Sequence, residues 1–147
     1  MILCAVDTGV KYRAEAWFQN IGDGPVLYRA ALVPGIEPIW PGVSVPWLPT
    51  DRLVIECATV RRQDGHTKRK EVDALNRAAG RLGALHPNPT YLKVEEWKGQ
   101  LSKKVDHERT ISKLSDQELL VLKGMKAAQL KHVLDAVGIG LRVLGRR

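Results

Sequence analysis

Thiols are scarce in this chain: Cys4 and Cys57 are the only two among 147 residues. Two cysteines cannot build a disulfide framework or a zinc-thiolate cluster, and a reducing compartment is expected. Long apolar runs are missing as well, since no stretch approaches the roughly 18–20 residues that a bilayer-spanning helix requires. The opening MILCAVDTG has neither a basic leader nor a small-residue cleavage site, so a cytoplasmic protein with no membrane partner is expected. Internal repeats and low-complexity tracts are absent. Acids are in deficit: 16 Asp and Glu face 23 Lys and Arg, for a formal net charge of +7. Such an excess of cations points to a polyanionic partner and says nothing about fold. The length suits one domain covering residues 1–147.

Residues 2–6 (ILCAV) read as a buried strand that ends in the turn Asp7-Thr8-Gly9. Two further strands are expected at 13–20 and 26–33, joined by the turn cluster IGDGP, which makes an antiparallel meander. Five prolines, Pro34, Pro38, Pro41, Pro46 and Pro49, exclude a regular helix from the next segment. An extended loop is expected there, pinned by Trp40 and Trp47. Residues 52–57 (RLVIEC) read as a buried strand of the kind found in the middle of a parallel sheet. The segment 61–70 (RRQDGHTKRK) is expected to be an exposed basic loop. Helical spacing of Val72, Leu75, Ala78, Ala79 and Leu82 follows, stopped by His86-Pro87-Asn88-Pro89. After a short strand at 90–94, Ser102 caps a helix to about 114, and Ser115-x-x-Glu118 opens another by a capping box. Gly124 breaks that helix. A last one runs from about 126 to 144, with Arg146-Arg147 as a loose basic tail. The fold class is therefore α/β, a mixed five-stranded sheet of three antiparallel and two parallel strands flanked by helices.

Chemistry concentrates at four positions. Asp7 ends the first strand, Glu56 lies near the end of the fourth, and His132 and Asp135 share one face of the last helix through their i, i+3 spacing. Functional clefts of open α/β sheets lie beyond the carboxyl ends of strands, where both strand acids sit. Each residue also has a plainer reading: a turn former at Asp7, a partner for a buried arginine at Glu56, a solvated helix pair at His132 and Asp135. Taken together they are harder to dismiss. Asp135 is the one polar side chain from Val133 to Leu141, and a lone buried carboxylate is unfavourable unless paired or bound to metal. Three carboxylates and an imidazole suit Mg²⁺ or Mn²⁺ better than structural zinc. Two such ions, roughly 3.5–4 Å apart, can promote phosphodiester hydrolysis. If Asp7 and Glu56 are neighbours on parallel strands, Cys4 and Cys57 lie about four residues apart along the sheet, roughly 13 Å, beyond disulfide reach.

The stretches ILCAVDTGVKY, LVIECATV, VDALNRAAGRLGAL, VEEWKGQLSKKVDHERTISKL and HVLDAVGIGLRVL resemble, in order and spacing, a RuvC-type Holliday junction resolvase of the RNase H-like superfamily. The most specific of them is the last, with His three residues before Asp. The resemblance implies a crossover junction endodeoxyribonuclease of DNA recombination and repair. It implies Asp7, Glu56 and Asp135 as catalytic metal ligands, His132 as a further ligand or proton carrier, and two Mg²⁺ or Mn²⁺ ions. It also implies a homodimer that nicks opposed strands of a four-way junction, leaving 5′-phosphate and 3′-hydroxyl ends. Dimerisation would use the 71–85 helix, although its Ala78, Ala79, Gly80 and Gly83 equally suit close packing on its own sheet. DNA contacts would come from Arg61, Arg62, Lys68, Arg69, Lys70, Lys98, Lys103 and Lys104, each of which has a solvated surface as its alternative. Trp97 is a stacking residue or, preferentially, core.

Two departures accompany the resemblance. No aromatic follows Glu56 in Cys57-Ala58-Thr59-Val60-Arg61, and the proline-rich segment replaces a helix, which brings the chain nearest to phage-encoded members that act on branched DNA more broadly. An RNase H-like nuclease with the same acids is the second enzyme reading. A catalytically silent basic DNA-binding module is the third, and it would need no acids gathered in a cleft. An actin-like ATPase would need two such domains.

Overall fold

The computed structural model describes residues 1–34 and 50–146. The expected loop at 34–50, with Trp40 and Trp47, falls almost wholly outside them. Five strands form one sheet in the order β3-β2-β1-β4-β5: β1 (Ile2–Asp7), β2 (Tyr12–Ile21), β3 (Gly24–Pro34), β4 (Arg52–Cys57) and β5 (Pro89–Lys93). The first three are antiparallel neighbours, whereas β4 runs parallel to β1 and β5 parallel to β4. The mixed sheet expected from the sequence is the one found.

Central position explains the composition of β1 and β4. Leu3, Ala5 and Val54 face one side and Cys4, Val6, Leu53 and Ile55 the other, all fully buried. On the first side lies α5 (Ala127–Val143), buried without interruption from Val133 to Leu141 because it is enclosed between the sheet and α3 (Lys103–Ser112). Gly140 makes that approach possible, since a Cβ there would overlap the Phe18 ring on β2. On the second side, Ala79 and Leu82 of α1 (His66–Gly83) cover Cys4, Val6, Leu53 and Ile55. Gly83 lies against Tyr91 of β5, whose side chain would have to shift to admit a Cβ there. Ala79 and Gly83 thus pack against α1's own sheet, Ala78 is buried beside a hollow shared with Val10, Ala74, Arg77 and Arg81, and Gly80 alone of the four small residues is exposed.

Three expectations need correction. The basic segment 61–70 is a loop only to Gly65, an extended N-cap, after which His66 to Lys70 form the first turns of α1. These turns project past the sheet and bury nothing before Val72, so no apolar periodicity marks them as helix. A four-residue helix, α2 (Val94–Trp97), follows β5 directly and is too short to show a period. Arg146 is no loose tail: it grips Glu118 of α4 (Asp116–Leu122) through both guanidinium nitrogens, at 2.6 and 2.8 Å. Ser115 does build the expected capping box with Glu118, and Gly124, at φ +86°, follows the end of α4. Among the described residues, no helix is long and apolar enough to cross a membrane.

Candidate active site

Strand register places the two strand acids side by side. Val6 pairs with Ile55, and one step further along both parallel strands come Asp7 and Glu56. The same register leaves Cys4 level with Leu53, four positions from Cys57, and both thiols are free. Beyond these strand ends opens a cleft of about 560 Å³ lined by Asp7, Thr8, Glu56, Lys68, Trp97, Lys98, Lys103, His132 and Asp135, among others. The α5 helix brings His132 and Asp135 over the end of β1. One ligand atom each from Asp7, His132 and Asp135 fall within 4.8 Å of one another. Glu56 shares the cleft but stands outside that triplet.

Two of the acids in the cleft, Glu56 and Asp135, are held by close hydrogen bonds. Thr8 Oγ1 donates to the Glu56 carbonyl at 3.1 Å, tying the end of β4 to the turn after β1. Trp97 Nε1 donates to Glu56 Oε2 at 2.8 Å. His107 Nε2 donates to Asp135 Oδ1 at 2.8 Å, and Lys103 Nζ lies 2.7 Å from Asp135 Oδ2. His132 Nδ1 is 4.0 Å from Asp7 Oδ2. Trp97 is 5 % exposed, so it is core as favoured, yet its indole N–H also serves the site. The sequence reading missed His107. It sits four residues after Lys103, hence on the same face of α3, and that spacing was the available signal.

Crowding three carboxylates makes their charges mutually unfavourable. Burial, then the charges of Glu56 and Asp135, push the Asp7 carboxyl well above the usual range, with Lys103 and Lys98 opposing. Burial likewise raises Glu56, against the Trp97 hydrogen bond, to about 7. His132 is pushed down by burial and by the charges of Lys103 and Lys131. A pocket of oxygen donors that resist ionising together gains from a cation. The donor set of two carboxylates and an imidazole fits a hard divalent ion with water completing its shell.

The basic residues divide into groups. Lys68, Lys98 and Lys103 line the cleft. Arg61 lines an adjoining groove of about 670 Å³ with Gln63, Gln100 and, again, Lys98. Arg69 donates from Nε to the Asp64 carbonyl at 3.1 Å, which fixes the entry to α1. Arg62, Lys70 and Lys104 are exposed and line neither hollow.

No protein-family model matches the sequence, and no curated protein matches it. The fold does match solved structures. Thermus thermophilus RuvC in complex with a Holliday junction substrate superposes with a TM-score of 0.56 at 13% identity, covering 97% of this chain and 91% of that one. The fowlpox virus Holliday junction resolvase gives 0.55 at 15% identity and covers both chains completely, at 100% each. Its complex with substrate junction DNA gives 0.54 at 15% identity, covering 99% and 97%. The chain thus has the fold of these resolvases over nearly its whole length.

Proposed function

We propose that the chain is a structure-selective endonuclease that resolves four-way DNA junctions by metal-dependent phosphodiester hydrolysis, leaving 5′-phosphate and 3′-hydroxyl ends. The observation that carries this reading is the convergence of Asp7, His132 and Asp135 within one ligand sphere, beside Glu56 and under a rim of lysines. A silent DNA-binding module has no use for such a cluster, which disfavours its own folding until a cation is bound. The resolvases with matching folds, two of them in complex with junction DNA, supply the substrate class.

In this reading Asp7, Asp135 and His132 would hold divalent metal, Mg²⁺ or Mn²⁺, and Glu56 would contribute to a second ion beside them. Bound there, the metal would supply Lewis-acid activation of water and neutralise charge on the leaving oxygen. The chain's own residues do the rest. Trp97 and Thr8 fix Glu56, and Lys68 and Lys98 draw the phosphate backbone into the cleft. Arg61 extends that track, with Arg62, Lys70 and Lys104 adding long-range attraction. The described residues form one such cleft, so paired nicks on opposed strands call for a homodimer.

The test is incubation of the purified protein with Mg²⁺ or Mn²⁺ on a four-way junction, a Y-fork, linear duplex and an RNA/DNA hybrid. Preferential cutting of the junction is expected. Cutting of the hybrid alone would transfer the same site to an RNase H-like activity.

A further inference from the structure

The two oxygens of Asp135 have different keepers. Oδ1 accepts from His107, a side chain only 14 % exposed and enclosed between α3 and α5. Oδ2 meets the ammonium of Lys103, which is 48 % exposed on a flexible stem at the mouth of the cleft. Both partners come from one face of α3, four residues apart, so one helix addresses both sides of a single carboxylate. Asp7, His132 and Asp135 would meanwhile surround a divalent cation. A metal drawing on Oδ2 would compete with the ammonium of Lys103 for the same lone pairs, whereas His107, on the opposite oxygen, would not.

We propose that His107 is a permanent positioning residue that aims Asp135, whereas Lys103 is an exchangeable internal cation that holds the acid cluster until metal loads and then yields Oδ2. The proposal rests on the metal reading given above. Its physical basis is twofold. A hydrogen bond behind a ligating carboxylate fixes its orientation and typically accounts for 10- to 100-fold in metal affinity. An ammonium at a metal position acts oppositely, because binding must first break its ion pair and then tolerate its charge nearby. The exposed stem of Lys103 lets the ammonium swing out without disturbing α3. Lys103 is therefore free to face the polyanion only after metal is in place, which would make phosphate engagement at this residue follow metal loading.

Calorimetric titration of Mn²⁺ into the DNA-free protein distinguishes the two roles without any reading of activity. Lys103→Met is expected to tighten Mn²⁺ binding by about tenfold, the effect of removing one competing charge. His107→Phe is expected to weaken it by about 10- to 100-fold, and His107→Asn, which retains an N–H donor, to recover part of that loss. Thermal melts of the same samples separate these shifts from loss of fold. Unchanged or weaker binding by Lys103→Met would overturn the competing-cation role, and wild-type affinity in His107→Phe would overturn the positioning role. A wild-type protein that binds no Mn²⁺, or an Asp135→Asn variant that binds it equally well, would instead remove the metal reading on which both roles rest.

Discussion

Arg146→Met should be among the most damaging substitutions in the chain, although Arg146 does not line the cleft. Arg146 binds Glu118 through two parallel bonds of 2.6 and 2.8 Å and also donates to the carbonyls of Pro25 and Lys113, both at 3.0 Å. Glu118, 1 % exposed, accepts in addition from the backbone of Leu27 and Ser115. The start of β3, the end of α3, the start of α4 and the segment beyond α5 therefore meet at one Arg146–Glu118 pair. Burial alone would push that carboxyl up, but the Arg146 bonds, then those from Leu27 and Ser115, outweigh it and bring it down to about 2. Against an ordinary value near 4.5, that displacement corresponds to roughly 3 kcal/mol of folding free energy. Because Arg146 is 26 % exposed and partly screened, about 2–3 kcal/mol is the better figure for losing it. For a domain of this size the loss equals a fall of about 4–12 °C in Tm. Urea denaturation followed by circular dichroism measures it. The double variant Glu118→Gln with Arg146→Met should recover part of the loss, because no unpaired charge then stays buried. A loss below about 0.5 kcal/mol in Arg146→Met would refute the reasoning.

Other outcomes follow from the same contacts. Since the folded-state carboxyl of Glu118 titrates below its unfolded value, the contribution is complete above about pH 4.5 and is lost as pH falls through about 2. Wild-type stability should therefore decline over that window, and Arg146→Met should flatten the decline, as acid titration of the urea midpoint will show. Gly140→Ala should destabilise by about 1–3 kcal/mol, because its Cβ would have to displace the buried Phe18 ring. Equal melting temperatures for this variant and wild type would contradict that packing. Lys68→Met and Lys98→Met should each weaken junction binding and lower the salt slope of log K by roughly 1. An unchanged slope by fluorescence anisotropy would place that lysine off the DNA path.

The sheet was legible because each strand carries its own signal. Residues 2–6 and 53–55 are apolar runs, as strands buried on both faces are, and IGDGP marks the hairpin between β2 and β3. Asp7, Glu56, His132 and Asp135 were legible as chemistry for the complementary reason that acids are out of place in such runs. What failed to show in the sequence lacks any such contrast. His66 to Lys70 form helix without burying anything, and α2, at four residues, is barely one turn and cannot display a repeat. Arg146 near the chain end looks like solvated charge until the fold brings Glu118 to it across 28 residues of sequence. Trp97 and His107 are linked to the acids through tertiary contacts, and the i, i+4 spacing of Lys103 and His107 marks a shared helix face without announcing a partner 28 residues away.

The central claim, that this cleft cuts four-way junctions, is tested most directly by mapping products from a junction labelled in turn on each of its four strands, with Mg²⁺ or Mn²⁺ present. Wild-type protein should nick two opposed strands at matching positions and leave ends that ligase can seal. Asp135→Asn should bind the same junction and leave all four strands intact. Uncut junction with wild-type protein in both metals, or identical cutting by Asp135→Asn, would contradict the claim.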